Sequence, residues 1–265
     1  QGRTRRSGRG FFSSFVACSR QAELYNPIAA LAWKETSLLY RALRSVLYLG
    51  CNGLYFATDD RLMRLSGPWV ENMATQAIFA ALTAAGHKVY FVGGCVRNSV
   101  LNLPVTDIDL ATDAVPKTVL SLCQGAGLKG IPTGIDHGTV TVVSQGQAHE
   151  ITTFRRDIAT DGRRAVVAFA KDITEDARRR DFTMNALYAT PQGMVIDPLG
   201  GLPDLKARKL RFIEDASRRI QEDFLRSLRF FRFYAMYGDP EVGFETEALA
   251  AIAANLEGLA SLSGE

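Results

Sequence analysis

The sequence predicts an α+β protein in which a mixed sheet gives way, near residue 214, to an all-helical region. Three features predict it. Val89-Tyr90-Phe91-Val92 is a short apolar run of buried-strand type, ended by Gly93-Gly94. Residues 139–144 and 149–154 read as two further strands about the turn-like Gln145-Gly146-Gln147. Residues 216–237 instead carry long helical periodicity, as do 246–262.

Taken in order, Ile78, Phe79 and Leu82 mark an amphipathic helix over residues 71–85, stopped by Gly86. The strand at Val89 follows, then a helix over residues 96–101 and a turn over 102–105. Residues 106–111 read as a second strand, Thr-Asp-Ile-Asp-Leu-Ala. Pro116 suits the first turn of the next helix, with Asp113 as its expected cap and Val119, Leu120 and Cys123 on its buried face. A charged helix over 174–180 leads to a strand at 194–196, and Asp197-Pro-Leu-Gly-Gly breaks the chain. Residues 210–213 are expected to form the last strand. The organisation predicted is therefore an extension over 1–67, a sheet-bearing domain over 68–214 and a helical domain over 215–265.

Composition narrows the function classes. At 265 residues, 47% hydrophobic and 22% charged, the chain can bury one sizeable core or two modest ones, which excludes dominant disorder. Its formal charge of +3 confines any nucleic-acid site to a local patch. Cys18, Cys51, Cys95 and Cys123 form no Cys-x-x-Cys pair, so neither a zinc site nor a disulfide framework is read, and a reducing compartment fits. His87, His137 and His149 are scattered, and none is assigned a metal. The most apolar stretch, residues 38–57, is interrupted by Arg41, Arg44 and Asn52, so no membrane partner is expected. A cytoplasmic location is expected. The alternative is mitochondrial, because Arg3, Arg5, Arg6, Arg9 and Arg20 precede the first acid, Glu23, as in a transit peptide.

The chemistry starts from Asp107 and Asp109. In a strand alternate side chains share a face, so the two carboxylates project together while Ile108 and Leu110 point to the core. Magnesium favours one or two carboxylates completed by substrate phosphates, and such a pair suits a triphosphate site. Gly93 and Gly94, placed between strand and helix, allow phosphate oxygens to approach the backbone, and Arg97 can add a charge-assisted contact.

Val-Gly-Gly-Cys-Val-Arg followed by Asp-Ile-Asp resembles the head-domain signature of the bacterial-type tRNA nucleotidyltransferases and poly(A) polymerases, the second class of that superfamily. Further stretches match in the same order: Glu150-Ile-Thr-Thr-Phe-Arg, residues 179–188 as the ribose-binding motif, 197–205 as the flexible hinge and 222–226 as the base-selecting motif. The likeness spans roughly residues 72–240. It implies a polymerase-beta-like nucleotidyltransferase head with a helical neck. The implied reaction is template-independent, two-metal addition of C and A from CTP and ATP to a tRNA 3′ end.

Position by position, the resemblance implies that Gly93, Gly94 and Arg97 hold the triphosphate and that Asp107 and Asp109 hold Mg2+. Glu150 is the candidate third catalytic carboxylate, with a plain salt bridge as the alternative. Arg180 is implied to hold the nucleotide, and Asp181 and Asn185 its ribose. Asp223 and Arg226, spaced three apart on an expected helix, can meet the amino donor and ring acceptor shared by cytosine and adenine. Arg229 and Arg232 extend that arginine row toward triphosphate or RNA, while Phe230, Phe231 and Phe233 are expected in the core.

Asn98 stands where the family often has aspartate, which should weaken a local contact. The chain begins at Gln1 and ends at Glu265, before the helical body and tail of relatives, so a fragment that processes tRNA poorly is expected. A poly(A) polymerase, a CC-adding or A-adding specialist and a non-enzymatic RNA-binding module remain the alternatives. A dinucleotide-binding domain is disfavoured by the missing Gly-x-Gly-x-x-Gly spacing.

Overall fold

A computed structural model describes residues 63–160, 165–260 and 262. The Arg-rich start and the apolar spacing at Leu38, Leu39, Leu43 and Val46 lie outside the described residues. Helix α1 (Met73–Thr83) starts at Asn72, whose side chain accepts from the Ala74 and Thr75 amides, and it buries Ile78, Phe79 and Leu82. Strand β1 (Val89–Val92) is buried at three of its four positions because it runs between two other strands beneath packed helices. Helix α2 (Gly94–Val100), strand β2 (Asp109–Thr112) and helix α3 (Pro116–Gly125) follow.

Next come β3 (Lys129–Gly134), β4 (Thr139–Ser144), β5 (Gln147–Thr153) and a two-stranded hairpin, β6 (Arg155–Thr160) with β7 (Ala165–Phe169). Helix α4 (Ile173–Arg178), the short strands β8 (Tyr188–Ala189) and β9 (Val195–Ile196), and helix α5 (Leu202–Lys206) complete the sheet-bearing part. The helical part is α6 (Ala216–Glu222), α7 (Leu225–Tyr237), α8 (Thr246–Ala254) and α9 (Leu256–Leu259).

The main sheet runs β3-β4-β5-β2-β1-β8-β9. It is mixed, as expected: β2 and β5 are parallel, and every other neighbouring pair is antiparallel. One core cluster carries Phe79, Phe91, Leu110 and Ile151 from the sheet region and continues through Phe182 and Phe212 to Phe230, Phe233 and Ile252 of the helices. Phe79 meets Phe91 edge-on at 4.7 Å, and Phe212 stacks on Phe230 at 5.5 Å, so aromatic contacts join the two regions.

Several local expectations need correction. Strand β2 begins at Asp109 rather than Thr106, because its partner β1 ends at Val92, opposite Asp109, where the chain turns into α2. Asp113 does not cap α3, whose cap residue is Val115; its carboxylate instead accepts from the Lys88 amide at 3.0 Å and contacts His87 Nδ1 at 3.0 Å. Residues 210–213 contribute a single bridge, Phe182 to Phe212, since the chain after Phe182 coils into a short 3-10 turn, Thr183–Asn185. The helix expected over 216–237 is broken at Asp223, which is extended at φ −156° and ψ 106°. Phe230 and Phe233 are buried, but Phe231 is 43% exposed.

Candidate active site

The floor of the site is the turn between β1 and α2. Gly93 has φ 69° and ψ −116°, a conformation open to glycine, and donates its amide to Leu187 O at 3.1 Å. A Cβ at Gly93 would stand 3.7 Å from Arg180 Nη1, so the bare backbone faces that guanidinium. Beneath the turn Cys95 is buried, and desolvation together with Asp109 pushes its thiol up to about 12, which leaves it un-ionised and excludes it as a nucleophile.

Asp109 sits opposite Val92 on one side and opposite Glu150 on the other, the latter across the parallel β2–β5 pair. That register places the Asp109 and Glu150 side chains as neighbours on one face, both exposed. Asp109 is exposed as a residue, yet its carboxylate is desolvated enough to raise its pKa; repulsion from Glu150 and Asp107 adds to the shift, and Arg180 opposes it. Asp107 lies two residues before the strand, exposed, with Thr106 Oγ1 donating to its carboxylate at 3.0 Å. Glu150, Asp107 and Arg180 therefore all act on the charge of Asp109.

Arg180 is aimed by a residue not assigned from sequence. Asp176, whose side chain is 1% exposed, accepts from Arg180 Nη2 at 2.9 Å, Arg179 Nε at 2.9 Å and the Tyr188 hydroxyl at 2.7 Å. Burial opposes its ionisation, but Arg180 and Arg179, with the Tyr188 hydroxyl, prevail and hold its carboxyl well below the usual range. The signal was present in sequence as Asp176 spaced three and four residues before Arg179 and Arg180, within reach of both on one helical turn.

Asp181 and Asn185 are both buried and face protein partners. Asp181 Oδ2 accepts from Arg229 Nη2 at 2.6 Å and Nε at 2.8 Å, while Oδ1 accepts from Asn185 Nδ2 at 2.9 Å. Asn185 Oδ1 in turn accepts from Arg97 Nη1 at 2.6 Å. A continuous polar chain thus links α7 to α2 through the 3-10 turn. Arg97 is buried inside it rather than reaching into solvent.

The last set is arranged around the helix break. Asp223 accepts from the Leu225 amide at 3.1 Å and so starts α7. The Arg226 guanidinium turns back to Glu222 at 2.9 Å, to Arg219 O at 3.1 Å and to Arg179 O at 2.9 Å. Arg232 is exposed, with its guanidinium 5.6 Å from the Phe233 ring centre. In the hinge segment, Asp197 accepts from the Gly201 and Leu202 amides at 2.8 Å, and a Cβ at Gly201 would strike Thr183 O at 2.5 Å, which explains the glycine.

For a divalent metal, the donor set fits. Asp107 and Asp109 offer hard carboxylate oxygens inside an acidic neighbourhood that a cation would relieve. Among the described residues no group of three or more His, Cys, Asp or Glu is arranged to hold a metal alone, so a cation at Asp107 and Asp109 would need further ligands from outside the protein. His149 is buried and contacts Thr75 Oγ1 at 2.8 Å, and the half-buried His87 contacts Asp113 at 3.0 Å. Among the described residues no helix is long and apolar enough to cross a membrane.

The model of the poly(A) polymerase head domain matches residues 89–211. The human protein called CCA tRNA nucleotidyltransferase 1, mitochondrial, is 40% identical over 207 residues, covering 77% of this chain and 48% of its own length. The CCA-adding enzyme of Leuconostoc citreum is 42% identical over 200 residues, covering 75% and 49%. Among solved structures, the Bacillus stearothermophilus CCA-adding enzyme in complex with CTP superposes with a TM-score of 0.64 at 36% identity, over 75% of this chain and 46% of that one. A tRNA nucleotidyltransferase complexed with a primer tRNA and an incoming ATP analog gives a TM-score of 0.54 at 27% identity, over 68% and 50%. The chain spans about half the length of the curated relatives it matches.

Proposed function

The chain belongs to the class II CCA-adding enzyme and poly(A) polymerase family through its head domain, and on that premise we propose that it adds C and A nucleotides from CTP and ATP to the 3′ end of tRNA without a template. The RNA 3′ hydroxyl attacks the α-phosphorus, a new P–O bond forms, and the bond to pyrophosphate breaks. Residues 68–214 serve as the nucleotidyltransferase head, 215–265 as its neck and 1–67 as an extension.

Asp107 and Asp109 are the residues that would hold Mg2+, which when bound supplies Lewis-acid stabilisation of phosphate charge. The remaining work falls to side chains. Arg180, fixed by Asp176, stands over the Gly93 turn to bind phosphate oxygens. Glu150 keeps the neighbourhood of Asp109 acidic. Asp181 and Asn185 reach the ribose, and Asp223 and Arg226 select C and A, after releasing some of their present protein contacts. Arg229 and Arg232 line the path toward triphosphate and RNA.

The observation that carries the reading is the pairing of Asp109 with Glu150 beside Asp107 and Arg180, next to a glycine turn. Relatives described with CTP, and with primer tRNA and an ATP analog, support the substrate choice. The experiment is incorporation of labelled CTP and ATP, supplied separately, into tRNA lacking its CCA end, with Mg2+ omitted as control. Incorporation of A alone onto any RNA would point to poly(A) synthesis, and transfer undiminished in Asp109→Ala would exclude the reading. The cytoplasm is the proposed compartment, with the mitochondrion as alternative, and imaging of the tagged chain separates them.

A further inference from the structure

Three of the arginines assigned to nucleotide binding grip carboxylates: Arg180 holds Asp176 at 2.9 Å, Arg226 holds Glu222 at 2.9 Å and Arg229 holds Asp181 at 2.6 Å. Arg97 is held differently. Only 8% exposed, it donates to Asn98 Oδ1 from Nε at 3.1 Å and Nη2 at 2.9 Å, to Asn185 Oδ1 at 2.6 Å and to the Tyr237 hydroxyl at 2.8 Å. These acceptors are all neutral.

The Tyr237 ring also lies under the guanidinium at 4.2 Å, and the Phe233 ring at 5.3 Å. Ring faces and amide dipoles stabilise a buried cation without cancelling its charge, whereas a carboxylate in contact cancels it. The one carboxylate whose charge acts on Arg97 among its main influences is Asp181, and it is engaged by Arg229. Burial lowers the Arg97 pKa, and Tyr237 is the first group to oppose the shift. The charge is also well placed: a Cβ at Gly94 would stand 3.8 Å from Nη2, the nitrogen that Tyr237 accepts.

We propose that Tyr237 is a positioning residue: its neutral hydroxyl and ring face fix Arg97 beneath the glycine turn, where the guanidinium serves the phosphate chain of the nucleoside triphosphate. The inference rests on the nucleotidyltransferase reading and deepens it. Tyr237 closes α7, so the far end of a neck helix sets the charge under a turn of the sheet region. Its effect reaches the substrate through Arg97 alone.

The test uses the full chain with Mg2+ and measures binding of CTP, inorganic tripolyphosphate and cytidine by calorimetry, with melting temperatures alongside. Tyr237→Phe keeps the ring and removes the acceptor. Tyr237→Leu removes the ring face as well. Both variants are expected to bind CTP and tripolyphosphate about tenfold more weakly, with cytidine affinity unchanged. A Tyr237→Phe protein that melts lower but binds CTP and tripolyphosphate normally makes the tyrosine a packing residue and overturns the proposal. Normal tripolyphosphate affinity in Tyr237→Leu overturns the role of the ring face. If the unaltered chain binds no CTP, the nucleotidyltransferase reading itself fails, while the tripolyphosphate comparison still decides whether Tyr237 acts on Arg97.

Discussion

Asp176 and Arg180 form an ion pair in which the acid side chain is 1% exposed and the arginine side chain 19%, with Nη2 2.9 Å from Oδ2. A second arginine, Arg179, shares the other carboxylate oxygen at 2.9 Å. The direction in which Arg180 points is thus set by a carboxylate behind it.

Asp176→Asn should cost about 3–5 kcal/mol of stability, because removing one partner strands buried charge on Arg180. Guanidinium denaturation measures it. Since the folded-state carboxyl is depressed, its contribution is complete above the ordinary carboxylate range and is lost as pH falls through that range toward the folded value. The variant should therefore lose stability less steeply in acid than the unaltered chain.

For Asp109 the sign reverses. Its folded pKa is raised, so ionising it weakens the fold as pH climbs through the shifted range. Asp109→Asn is expected to abolish nucleotide transfer while its melting temperature at neutral pH stays level or rises. Glu150→Gln removes the main neighbouring repulsion, so the acid limb of the normalised rate profile should move to lower pH. An unmoved limb would separate Glu150 from Asp109.

Gly93→Ala should cost about 1–3 kcal/mol, since a side chain at φ 69° and ψ −116° is held in a sparsely populated region. A Cβ there meets Arg180 Nη1 only at ordinary contact distance, so the loss comes from the backbone. Thermal melting reads the cost, and transfer should fall with it as the turn shifts.

Phe230→Ala should cost about 3–5 kcal/mol, the usual range for deleting a buried aromatic ring. Phe230 is fully buried and meets Phe182 and Phe212 at 6.1 Å and 5.5 Å. A lower denaturation midpoint is expected for both regions together, because these rings belong to one cluster.

What was legible in sequence were features with a local cause. The apolar run at Val89 and the alternation of β4 were readable, and both strands have the bounds their patterns imply. The acids and arginines of the candidate site were singled out because their order along the chain matches a family signature. Contact-dependent features were hidden. Strand β3, Lys-Gly-Ile-Pro-Thr-Gly, lacks alternation and is a strand only because β4 offers it an edge. The start of β2 depends on where β1 ends. The break at Asp223 lies inside a periodic segment, and periodicity alone does not register it. Nothing in the sequence singles out Tyr237, and its proposed role rests on Arg97, a partner distant in sequence.

The parallel pairing of β2 with β5 carries an evolutionary consequence. Asp109 and Glu150 sit on separate limbs of the chain, and everything between them, α3 with β3 and β4, loops away and returns in register. Residues can be gained or lost at the tips of that excursion without shifting either acid. Insertions at those tips are therefore expected to be tolerated, whereas one inside β2 or β5 would slip Asp109 out of register with Glu150.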